Sequence, residues 1–125
     1  MTTPFTRFSV AKATNDLVYV SGVTSRDKHG AVVGDDIVTQ THQVLKCLAA
    51  VVADAGGSMA EVVKITTFVR DADDIATVSA IRREYFADPL PAATSVEVSR
   101  LFDPRHLVEI DAVVAISPPV EGHDT

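Results

Sequence analysis

A chain of 125 residues with 46% hydrophobic content is one domain's worth of sequence, long enough to bury roughly two-thirds of its unfolded surface. A net charge of −6 and a pI near 5.0 argue against a nucleic-acid partner, because the 11 Lys and Arg residues are scattered and form no phosphate-binding stripe. A single cysteine, Cys47, excludes an intrachain disulfide and a thiolate metal cluster. With no apolar run of about 18 residues and no charged leader before an apolar segment, a cytoplasmic location with no membrane partner is expected.

Leu17 to Gly22 is β-branched, aromatic and apolar, bounded by Asn15-Asp16 and by Gly22 itself, which predicts a strand buried on both faces. Phe5 to Ala11 alternates more weakly and is read as its antiparallel partner, turned by Thr14-Asn15-Asp16. Arg26 to Gly30 is a polar loop closed by a turn glycine, followed by a short strand over Ala31-Val32-Val33.

From Asp35 or Asp36 to Asp54 the period becomes helical: Ile37, Thr41, Val44, Leu48 and Val51-Val52 form one apolar stripe. The front aspartates suit the positive end of the helix dipole, and Gly56-Gly57 stop the helix. Ser58-Met59-Ala60-Glu61 is a capping-box pattern opening a brief helical turn. Val62 to Arg70 predicts a half-buried strand, and Asp71 to Asp74 cap a second helix running to Phe86 with Ile75, Val78, Ile81 and Tyr85 inward. Strands over Thr94–Arg100 and Leu107–Ile116 close a single domain over residues 1–117, leaving 118–125 as a flexible polar tail. Two helices cover only one face of such a sheet, so a strand as apolar as 107–116 needs a second cover, which oligomerisation supplies.

None of His29, His42, His106 and His123 is spaced from another as metal ligands are, and neither a glycine-rich phosphate loop nor a nucleophile elbow is present. No metal and no cofactor is expected. His42 reads as a surface or helix-packing residue, and Cys47 as a small buried apolar one with nothing cationic nearby to activate it. Glu97 and Glu109 are the two acids set in apolar strand sequence. Glu97 reads as facing solvent or an interface; Glu109 shares a strand face with Asp111, and two carboxylates on one face of a central strand are expensive unless something uses them.

Pro91-Ala92-Ala93-Thr94-Ser95-Val96-Glu97-Val98-Ser99-Arg100-Leu101, with Ser21-Gly22 upstream and Val108-Glu109-Ile110-Asp111-Ala112 downstream, resembles the signature of the reactive intermediate deaminase (Rid, or YjgF) family. The resemblance runs from residue 8 to residue 116. It implies a chorismate-mutase-like α+β domain, a mixed or antiparallel sheet with two helices on one face. It also implies a homotrimer with small-molecule sites in the clefts between subunits. The family reaction adds water to a C=N bond and releases ammonia.

By the same resemblance, Ser21 and Gly22 border the ligand cleft, and Thr94 and Ser95 lie where backbone N–H groups meet the substrate carboxylate. Phe86 is a cleft wall, and Glu109 matches the glutamate that positions the attacking water. Phe8 stands where many members carry tyrosine, Ser79 where asparagine is common, and Ser95 where cysteine is common. Ala93 occupies the place of the arginine that grips the carboxylate in deaminases. Losing such a partner costs on the order of 3 kcal/mol, roughly a hundredfold in affinity. Arg100 and Arg105 are cations near enough in sequence to be considered as replacements.

Two readings follow. One is a hydrolase of enamine or imine bonds, not acting on 2-aminoacrylate, with Glu109 as general acid/base and Ser21, Thr94 and Ser95 orienting the substrate. The other is a non-catalytic trimer that binds a metabolite or serves a structural, chaperone-like role, with Ala93 shaping a neutral pocket. The acidic balance sets a ribonuclease reading behind both.

Overall fold

Strands precede, separate and follow two helices along the chain. In the computed structural model, which describes residues 10–14 and 16–117, they are β1 (Val10–Thr14), β2 (Leu17–Val23), α1 (Ile37–Asp54), β3 (Val62–Val69), α2 (Ile75–Arg83), β4 (Ala92–Glu97) and β5 (Val108–Ala115). Single 3-10 turns at Met59–Glu61 and Ala72–Asp74 lead into β3 and α2. The five strands make one sheet in the order β1-β2-β5-β3-β4. Only β3 and β4 are parallel, and α2 provides the crossover that a parallel pair requires. The fold is therefore α+β, a mixed sheet backed by two helices.

The expected first strand extends to Thr14, pairing Val10 with Ser21 through to Thr14 with Leu17. Its residues 5–9, including Phe8, lie outside the described residues, as does the tail 118–125. Ala31–Val33 does not form a strand; an isolated bridge joins Arg26 and Val32. Asp27 Oδ1 accepts the N–H groups of His29 and Ala31, which curls the segment into a turn. α1 begins as its sequence dictates: Asp36 caps it, accepting from Thr39 N at 2.9 Å. Gly56, at φ +91°, ends it, and Gly57 N donates to Val52 O. α2 stops at Arg83 rather than Phe86, because Glu84 N and Tyr85 N bond carbonyls three residues back and tighten the last turn. β4 starts and ends earlier than its apolar pattern suggested, which puts Ala92 and Ala93 on the sheet and Arg100 in a loop.

Register and burial separate the two sheet faces. Val18, Val20, Ile65, Val69, Val108, Ile110, Ala112 and Val114 point at the helices, none more than 4% exposed, and meet the α1 stripe of Val44, Leu45, Leu48, Val51 and Val52. Tyr19, Ser21, Lys64, Thr66, Phe68, Thr94, Val96, Glu109, Asp111 and Val113 occupy the opposite face. β5 alternates buried with half-buried residues rather than being closed on both sides, and Tyr19 on β2 is 46% exposed. The second cover that the apolar pattern of these strands calls for is not provided by the described residues of one chain.

Cys47 is buried as its neighbours require, and desolvation raises its thiol pKa, the opposite of activation. His42 is a helix-packing residue, its Nδ1 lying 2.7 Å from the Tyr85 hydroxyl. Glu97 accepts the N–H of Ala72 at 2.8 Å, which anchors the start of the α2 segment to β4.

Candidate active site

Two residues of β2, Ser21 and Gly22, face the single residue Asp111 of β5, since Val20 pairs with Ala112 and Val23 with Ile110. This is a β-bulge, and Gly22 supplies the φ of +72° that it needs. The bulge turns the Gly22 N–H toward Asp111 Oδ1, which accepts it at 2.8 Å. Asp111 thus has a structural task. Glu109, two residues before it on the same face and paired across the sheet with Phe68, has none among the described residues. Burial first, and the Asp111 charge second, raise the Glu109 carboxyl above the ordinary carboxylate range.

The same face carries Lys64, whose Nζ donates to Thr94 Oγ1 at 2.8 Å. A shallow groove of about 280 Å³ runs between Ser21, Lys64, Thr66 and Asp111, with Tyr19 and Val113 at its sides. It holds a hydroxyl pair, an ammonium and a carboxylate on the uncovered face of the sheet.

A second cleft, of about 170 Å³, lies at the edge of the sheet between α2 and the start of β4. Ser79, Arg82, Arg83 and Phe86 line it from the helix, and Leu90, Pro91 and Ala93 from the strand side. The half-buried Arg82 guanidinium reaches the sheet: Nη1 donates to Thr67 Oγ1 at 3.0 Å and to Ser95 Oγ at 3.4 Å, and Nη2 to Ser79 Oγ at 3.3 Å. Burial, then the charge of Arg83, push its pKa down, and among the described residues no acid offsets either.

The structure therefore sorts the sequence-derived residues into two groups. Ser79, Phe86, Ala93 and Ser95 gather around Arg82, whereas Ser21, Gly22, Thr94 and Glu109 belong to the uncovered face or its bulge. Neither Arg100 nor Arg105 lines either of these two clefts within one chain: Arg100 bonds the carbonyls of Leu101 and Phe102, and Arg105 pairs with Asp103 at 2.7 Å. Arg82 and Lys64 are additions. Arg82 falls four residues after Val78 and three after Ser79, so it flanks the buried stripe of α2, a placement its spacing already implied. Lys64 carries no such sign, since an alternating strand places a lysine on its polar side whether or not a site is there. Among the described residues no group of three or more His, Cys, Asp and Glu is arranged to hold a metal ion, and no helix is long and apolar enough to cross a membrane.

A small two-layer domain with polar clusters on both sides of one mixed sheet defines the class. The chain belongs to the family described as Endoribonuclease L-PSP, whose profile matches residues 2–116. It is 37% identical over 112 residues to a RutC family protein of Pyrococcus horikoshii, covering 88% of this chain and 87% of the relative. It is 32% identical over 114 residues to a protein of Acinetobacter baylyi named 3-aminoacrylate deaminase RutC, covering 90% of each. Its fold matches a conserved Rid-family protein of unknown function from Yersinia pestis with a TM-score of 0.82, at 35% identity and 88% coverage of both chains. The Rid resemblance in the sequence is thus the family assignment, and that family supports deaminase-like or endoribonuclease-type function in general terms.

Proposed function

We propose that the chain is a deaminase-like hydrolase of enamine or imine bonds in a small molecule, working in the cytoplasm at clefts between copies in a homotrimer. The observation that carries this reading is the Glu109 carboxyl, half-buried on a sheet face, held toward its neutral form and free of structural work. Such a group moves protons at pH values where an ordinary carboxylate is already ionised. An enamine first tautomerises to its imine, gaining a proton on carbon and losing one from nitrogen. Water then adds to the C=N carbon, Glu109 taking a proton from the water and returning one to nitrogen. The hydroxyl proton then passes to nitrogen as the C–N bond breaks, so ammonia leaves and a carbonyl remains.

The assembly is supported by the uncovered face, where Tyr19, Phe68, Val96 and Val113 give apolar area that one chain leaves open. It is supported also by the division of the candidate residues. Ser79, Phe86, Ala93 and Ser95 lie across the sheet from Ser21 and Glu109, so a site using both groups needs two copies, one contributing its β4 edge and the other its open face. A relative named 3-aminoacrylate deaminase makes an enamine a reasonable substrate type. Ala93 removes the usual carboxylate clamp, so 2-aminoacrylate is not held as arginine-bearing members hold it.

Ammonia release from enamines generated in situ by a dehydratase, measured for the native chain beside Glu109→Gln, tests the reading. Turnover that vanishes in the variant supports it. Equal turnover in both removes Glu109 from the chemistry, and saturable ligand binding without product would establish a binding module instead.

A further inference from the structure

Among the described residues of one chain, Arg82 is a charge without a counter-charge. Its three acceptors are neutral hydroxyls, two of them at 3.3 and 3.4 Å, beyond good hydrogen-bond geometry. Its Nε–H and its second Nη2–H meet no acceptor among the described residues, where the only ion pair is Arg105 with Asp103. The charge that acts on it is that of Arg83, of the same sign. A half-buried cation in such surroundings is destabilising unless something anionic joins it. The guanidinium faces the α2–β4 cleft, whose remaining wall is the hydrocarbon of Phe86, Leu90, Pro91 and Ala93.

We infer that this cleft binds a small organic carboxylate with a hydrocarbon side chain, Arg82 taking the carboxylate through a two-pronged contact and the apolar wall taking the side chain. Planar guanidinium donors fit a carboxylate pairwise, and the Ser79 and Ser95 hydroxyls lie beside them to donate in turn. Ala93 belongs to the same arrangement. An arginine there would bring a second guanidinium into a cleft that already holds one, whereas alanine leaves room and an apolar surface. The cation has moved from the strand to the helix facing it, so the acid is held from the opposite wall and its side chain lies where an arginine would otherwise reach. As a substrate site the cleft rests on the hydrolytic reading above; as a binding site it does not.

Isovalerate and its neutral amide, isovaleramide, are unreactive probes differing in charge alone. Calorimetric titration of the full chain is expected to show saturable isovalerate binding, with the amide at least roughly 30-fold weaker. Arg82→Met should weaken the acid by a similar factor and leave the amide unchanged, and Arg82→Lys should restore part of the loss. Adding Ala93→Arg to Arg82→Met should recover acid binding, which separates a lost cation from a damaged fold. Acid and amide binding alike, no binding of either, or an Arg82→Met variant with unaltered acid affinity would overturn the inference. Acid binding that depends on Arg82 in a chain that turns over no enamine supports the anion site and rejects only the hydrolytic reading. Turnover with a KM indifferent to Arg82→Met does the reverse.

Discussion

On the helix-covered face of the sheet, Ile65, Val69, Val108 and Ile110 are closed to solvent, and the polar strand residue among them, Thr67, is engaged by Arg82. On the other face the same strands present Ser21, Lys64, Thr66, Thr94, Glu109 and Asp111 beside Tyr19, Phe68 and Val113. The pleat separates the two sets at every second residue, so β5 carries core and chemistry in alternation. A substitution therefore changes stability or reactivity according to its parity. Glu109 and Ile110 are the sharpest pair with which to test that, being adjacent in sequence and opposite in surroundings.

The largest effect is expected at Glu109. Glu109→Gln should lower kcat by about 10²–10⁴, the usual contribution of a positioned acid/base. Stability at neutral pH should hold or rise, because the variant removes both the buried charge and its repulsion with Asp111. Steady-state ammonia release and urea unfolding on the same preparation check the two halves. A variant that loses activity together with stability would make Glu109 a structural residue and erase the contrast between the faces.

One position on, Ile110→Ala should do the opposite. A fully buried isoleucine cut to alanine loses transfer energy and leaves a cavity, together about 2–5 kcal/mol. The loss appears as a lower urea midpoint with little change in m, while the folded fraction keeps its KM. A mild effect below about 1 kcal/mol would mean that this part of the core collapses around the gap.

Asp111 blurs the contrast, since it lies on the open face and does structural work there. Asp111→Ala leaves the bulge N–H of Gly22 without its charged acceptor. Because the contact is only part-buried, the cost should fall toward the lower end of about 1.5–3 kcal/mol for such bonds. It also removes the second cause that raises the Glu109 carboxyl, so the acidic limb of the pH–rate profile should move to lower pH. An unmoved limb would mean that burial alone sets the protonation of Glu109.

How much of this the sequence disclosed depends on the range of the signal. α1 was legible end to end, because its cap, its stripe and its glycine stop are all local. So was the Ser58–Glu61 capping box. The Ala31–Val33 strand was misread because Asp27, rather than a neighbouring strand, takes the backbone donors there. The site was half legible. Glu109 stood out as an acid in apolar sequence, but its separation from Ala93 by the full thickness of the sheet is a matter of register across β3, where Ala93 pairs with the buried Ile65 and Glu109 with Phe68 of the open face. Arg82 was legible only in part: its spacing from Val78 sets it beside the buried stripe of α2, but what it meets there is fixed by the docking of α2 on the sheet, which leaves Arg82 half-buried and Arg83 exposed.

The smallest effect tests the covered side through pH. His106 is buried, 1% exposed, and neither ring nitrogen has a hydrogen-bond partner among the described residues. Burial first, and the charges of Arg26 and Arg105 with it, hold its imidazole below the ordinary histidine range against the opposing pull of Asp103. The folded state then resists a proton that the unfolded chain accepts, so stability is complete above about pH 6.5 and falls as pH drops below it, levelling out once the folded pKa is passed. His106→Gln should flatten that step. Asp27, Asp36, Glu61 and Asp103 are all held low by hydrogen bonds, so their contributions are lost only as pH falls below the ordinary carboxylate range of about 4. Two separated steps in a plot of urea midpoint against pH, the upper one absent in the variant, would assign the first to a single buried ring. An upper step that persists in His106→Gln would rule out this ring as its origin; Glu109, whose raised carboxyl makes stability fall as pH rises, gives a step of the opposite sign.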